Sequence, residues 1–133
     1  MNLLIKIFFI TPILYSVTFA QDFSKIDKDL SDLNFNKTLI PLEELNNLYP
    51  NNKDILLRLS IAHHYLSEKA IQQKEDKENA QKAFKYIDHA FSLNSEDPNV
   101  LKWYVIALGK TIEEESIRTV SYTHLRAHET RHY

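Results

Sequence analysis

Through the middle of this chain, apolar residues recur at steps of three and four, and polar clusters cut them into blocks. Phe23, Ile26, Leu30 and Leu33 form a first short block, with Ser24 as its predicted cap and Asn34–Asn36 as its break. Leu39, Leu42, Leu45 and Leu48 follow at steps of three, and Pro41 is expected in the first turn of that helix, where a missing N–H costs nothing. Tyr49-Pro50-Asn51-Asn52 then reads as a stop, because Pro cannot continue the ladder and Asn suits turns. Ile55, Leu59, Ala62, Leu66 and Ala70 lie on one stripe, widened by Leu56 and Ile61, and Asp54 is its expected cap. The polar run Gln72–Asn79 either extends this helix in solvent or forms the turn to the next.

The next stripe is Ala80, Ala83, Phe84, Ile87, Ala90 and Phe91, and it ends at Asn94-Ser95-Glu96. Asp97 is the expected N-cap of a further helix, with Pro98 at its first position. Leu101, Tyr104, Val105 and Leu108 make its apolar stripe, Gly109 is the expected stop, and Thr111-Ile112-Glu113-Glu114 reads as a capping box opening one more helix. Amphipathic helices joined by such short links must run antiparallel to their neighbours, and paired units of this kind bury their apolar faces by stacking. The predicted fold class is all-α, with antiparallel helix pairs stacked as a tetratricopeptide-like repeat over residues 21–119, incomplete at the C-terminus.

Composition narrows the picture further. A single glycine (Gly109) and four prolines among 133 residues leave little material for the turns of a β-sandwich. The absence of cysteine excludes disulfides, thiolate zinc sites and thiol nucleophiles. A formal charge of −2 offers no basic footprint for nucleic acid. No nucleophile, base and orienting group occur in recognisable order and no glycine loop exists to cradle phosphate, so neither an enzyme nor a cofactor is expected.

The two ends differ from the middle. In Met1–Ala20, Lys6 gives a sparse positive region, Ile7–Phe19 is apolar, and Thr18-Phe19-Ala20 resembles a cleavage signature, as in a secretory signal peptide. A membrane anchor is the alternative, although a spanning helix wants roughly 20 apolar residues and Pro12 interrupts this run. At the other end His128, Glu129 and His132 match the H-E-x-x-H zinc motif, in which two His one turn apart bind the metal. Val120–Thr130, however, resembles the translation of a common sequencing-library adapter over eleven consecutive residues. The zinc motif is therefore rejected as artefact, residues 120–133 are read as an adapter-derived tail, and the natural frame is expected to end near Thr119.

Within the repeat-like middle, Leu45 to Tyr49-Pro50 and the set Ala83, Ile87, Ala90 with Leu93-Asn94 resemble tetratricopeptide second helices. Ile55–Ala62, including Arg58 and Ala62, the charged insertion after it, and Pro98–Ile106 with Lys102, Trp103 and Tyr104 resemble the regulator of microtubule dynamics family. The resemblance covers roughly Ser24–Thr119 and departs at Leu57, where the family tends to have an aromatic residue. It implies a protein-interaction scaffold whose partners include microtubules or membrane contacts. Two other functions remain open: a secreted or periplasmic protein with a structural role in envelope or extracellular assembly, and a zinc hydrolase should the tail motif be genuine. Location follows the leader, either exported or anchored with the helical part in the cytosol, and membrane contact is expected only if the leader stays uncleaved. Of the remaining chemistry-bearing residues, His63 and His64 are expected near a helix–helix interface, His89 at the surface, and Trp103 and Tyr104 in packing; Glu113-Glu114-Glu115 suits a helix N-terminus.

Overall fold

The structure, a computed structural model, describes residues 22–129, with side chains as far as Ser116 except Glu114. The leader and His132 lie outside the described residues. Among the described residues there are five α-helices and no strand: α1 (Ser24–Ser31), α2 (Phe35–Leu48), α3 (Lys53–Lys69), α4 (Gln73–Leu93) and α5 (Pro98–Glu129). The fold is all-α, and neighbouring helices pack against one another, as a helical repeat requires.

α3 is the hub. It packs against α2, α4 and α5, while α1 rests on α2. Ile55 and Leu59 join Leu42 in one core with α2, backed by Phe23, Ile26, Leu39 and Leu45. Leu56 and Leu57, which point roughly 100° and 200° round the helix from Ile55, join Ile87, Ala90, Val100 and Ala107 in a second core. Tyr86 packs against both. Ala62, Ala83 and Ala90 are all fully buried, so the α3 and α4 backbones approach without a large side chain at these positions.

Helix ends show where local chemistry and tertiary packing disagree. Asp97 caps α5 as expected, accepting hydrogen bonds from the N–H groups of Asn99 (2.8 Å) and Val100 (3.4 Å). Asn52, not Asp54, caps α3: its Oδ1 accepts from Asp54 N and Ile55 N. Both are good caps, and only the register of the chain decides between them. α2 begins at Phe35, inside the expected break, because Phe35 is buried and stacks on Tyr65 at 5.0 Å. Pro41 consequently sits in the helix interior rather than its first turn. α1 ends in a Schellman arrangement, with Asn34 N bonded to Asp29 O and Leu33 N to Leu30 O. Leu33 occupies the left-handed position there, with φ 61°.

Gly109 does not stop a helix. α5 runs through it, and no glycine has positive φ, so the cap geometry that would end the helix is not formed. One interior glycine costs about 1 kcal/mol relative to Ala, too little to break a ladder with helix formers on both sides. The expected capping box at Thr111 is therefore part of the same helix, and Thr111 Oγ1 donates instead to Leu108 O. The adapter-like run starts inside α5.

Candidate interaction surface

A row of aromatic rings crosses α2, α3 and α5. Phe35 stacks on Tyr65, and Trp103 meets both Tyr65 (5.9 Å) and His64 (5.5 Å) edge-on. The row is not sealed inside, since Tyr65 is 37% exposed and Trp103 half-buried. A lysine stands at each end: Lys69 lies over the Phe35 ring at 4.7 Å and Lys102 over the Trp103 ring at 5.9 Å. Beside the Phe35 end opens a cleft of about 790 Å³, lined by Leu33, Phe35, Leu66 and Ile71 together with Lys37, Lys69 and Glu75. Ile71 in this lining is almost completely exposed.

Behind the row, polar groups lock the helices. Lys110 is 13% exposed and pairs with Glu68 of α3 and Asp76 of α4, tying α5 to both. Burial alone would lower its pKa, but the two carboxylates outweigh that and raise it. Asp76 also accepts a hydrogen bond from Ser67 Oγ. At the front of α3, Lys53 pairs with Asp97, which lowers the aspartate's pKa and raises the lysine's. Arg58 makes a bidentate pair with Asp27 (2.7 and 2.8 Å) and covers the Phe23 ring at 4.0 Å, so it holds α1 against α3.

The histidines behave as interface residues. His63 is buried on Tyr86 (ring centroids 5.7 Å), and its Nδ1 lies 2.9 Å from Asn79 Oδ1. Asn79 Nδ2 donates to Glu75 O, so its Oδ1 faces the ring and the neutral tautomer with Nδ1–H fits. His63 Nε2 and His64 Nδ1 are buried without partners. Burial pushes the pKa of both below the usual histidine value, Asn79 and Glu43 opposing it at His63 and Glu68 at His64. The fold thus favours neutral rings: stability is fully present above pH 6.5, the unperturbed value, and drains away as pH falls towards the lower folded pKa. Thermal melts should show Tm falling between neutral pH and pH ~5. His63→Phe should flatten that acid limb; an unchanged limb would show that His63 is not its source.

The family-like positions divide by role. Arg58, Ala62, Ala83, Ile87 and Ala90 serve packing, Lys102 is exposed, and Trp103 and Tyr104 are half-buried. Tyr104 stacks on Phe91 at 4.5 Å and tilts against Phe84. His89 is half-buried, with Nε2 3.1 Å from Asn51 Oδ1. Phe35, Tyr65, Asp76 and Asn79 were not singled out by the sequence pattern. For Asp76 and Asn79 a signal existed, because they continue the Ala80, Ala83 and Ile87 face backwards by one turn. Among the described residues no group of His, Asp and Glu is placed to hold a metal, and no helix is long and apolar enough to cross a membrane.

Compared with protein families, residues 22–121 match the model of regulator of microtubule dynamics protein 1-3. The chain belongs to that family. No curated protein and no solved structure matches it. The family match spans all of α1 to α4 and the front of α5, so it contains every residue of the aromatic row and of the ionic locks behind it. The polar run Gln72–Asn79 forms the N-cap and opening turns of α4, neither an extension of α3 nor a loop.

Proposed function

We propose that this chain is a non-enzymatic scaffold that binds another protein through the aromatic row, with microtubules as the partner its family name suggests. The half-open row Phe35–Tyr65–Trp103, flanked by Lys69 and Lys102, carries the reading. Tyr and Trp dominate binding hot spots because they bury large area at small entropic cost, and the lysines suit a partner with acidic groups beside an apolar contact. The rings rest on α2, α3 and α5, and the Lys110 and Asp76 locks hold α5 and α3 together through α4, so little ordering of Tyr65 and Trp103 is needed on binding. Co-sedimentation of the full chain with microtubules tests the partner. Saturable pelleting is expected, and a chain left in the supernatant at every polymer concentration would remove microtubules from the account.

The leader bears on a second reading, a secreted or periplasmic protein with a structural role in envelope or extracellular assembly. A reporter fused to Met1–Ala20 separates the two. Export with cleavage after Ala20 favours the second; retention as an uncleaved anchor favours a scaffold held at a membrane with its helices in the cytosol.

A further inference from the structure

We propose that His64 is a proton-operated catch on the aromatic row: neutral, it braces Trp103 against α3, and protonated, it lets α5 shift and takes the row apart. The inference deepens the scaffold reading, because it concerns the same rings. His64 is half-buried on α3 and meets two rings of the row edge-on, Trp103 at 5.5 Å and Tyr65 at 5.6 Å. Its Nδ1 is buried with no hydrogen-bond partner. A neutral ring can meet this by leaving the lone pair on Nδ1 and the N–H on Nε2. An imidazolium cannot, because both nitrogens then donate, and a buried charged donor without an acceptor is costly.

The charges around His64 set how the catch opens. Glu68 lies one turn further along the same face of α3, and its field favours the charged ring. Lys110 of α5 opposes it. That same lysine holds Glu68 at 3.3 Å and Asp76 of α4 at 3.4 Å. From α2, Glu43 acts on His63, which points about 100° away from His64 and packs on Tyr86 of α4 instead. A proton on His64 therefore places a second cation near Lys110 and a rival for Glu68. The carboxylate best placed to accept from the new donor is the one that ties α5 to α3, so satisfying the first loosens the second. Trp103 stands two turns before Lys110 on α5 and moves with it. Burial outweighs Glu68 and holds the ring's pKa below the usual histidine value, so the brace is whole above pH 6.5 and is lost as pH falls through the lower folded value.

Trp103 is the only tryptophan in the chain, so its emission reads the row without any partner. Failure of this test leaves the scaffold reading untouched, and failure to pellet with microtubules leaves this proposal untouched. The full chain is titrated from about pH 7.5 to about pH 5, with circular dichroism followed in parallel. A red shift and a loss of Trp103 emission are expected, with a midpoint below pH 6.5 and helicity retained. His64→Phe keeps a ring against Trp103 but takes no proton, and should abolish the shift; His64→Gln gives the same readout if the Phe variant does not fold. His63→Phe should leave the shift in place. Glu68→Gln should move the midpoint to lower pH by removing the carboxylate that favours the charged ring, a response that a purely structural His64 would not give. An emission maximum that stays fixed down to about pH 5 would overturn the proposal. So would a shift that survives in His64→Phe, or one that appears only as helicity is lost.

Discussion

Replacing Ile87 with Ala is expected to destabilise the fold by about 2–5 kcal/mol, the range for removing a large aliphatic side chain from a core that cannot close up. Ile87 is fully buried where α3, α4 and α5 meet, among Leu56, Leu57, Ala90, Val100 and Ala107. Relaxation is limited, because Ala83 and Ala90 on the same helix are buried and too small to fill the gap. In a domain of ~100 residues each kcal/mol shifts Tm by about 4–8 °C, so the loss should appear as a drop of about 8 °C or more. A denaturant series that returns less than about 1 kcal/mol would mean that the three helices are not locked at this point.

Pro41→Ala should act in the opposite direction, stabilising the chain by up to about 3 kcal/mol. Pro41 is the seventh residue of α2, where its ring crowds the carbonyl of Lys37 and supplies no N–H to it. The helix forms in spite of this because Phe35, Thr38 and Leu42 are buried on either side. Alanine restores the bond and the best intrinsic helix propensity while leaving those three contacts alone. Urea unfolding provides the check. Unchanged or reduced stability would show that α2 needs the bend that proline imposes.

These two positions also show how far the sequence could be read. The α3 and α4 stripes, the small residues between them and the Asp97–Pro98 start of α5 were legible because each is a local pattern: a period of 3.6, or a cap with its proline. Pro41 and Phe35 were misplaced because Asn34–Asn36 has the composition of a turn, whereas the decisive contact, Phe35 on Tyr65, joins residues thirty positions apart. Gly109 misled for a related reason: glycine ends a helix only where the chain turns left-handed, and no such turn is made there. The interaction surface was legible only in Trp103 and its neighbours. Its other rings and the Asp76–Lys110 lock depend on which helices meet, and a run such as Gln72–Asn79 looks uniformly solvated until its inward turn is placed against α3.

The central claim, that the chain works as a scaffold through the aromatic row, is tested most directly by titrating microtubules against the wild type and a Tyr65→Ala, Lys69→Glu variant. Tyr65→Ala removes the ring stacked on Phe35, but neither side chain belongs to the two buried core clusters, so the helical fold should be preserved, as circular dichroism can verify. Loss of one hot-spot aromatic and reversal of one flanking charge should weaken saturable pelleting by at least about tenfold. Pelleting of the folded variant with undiminished affinity would contradict the account.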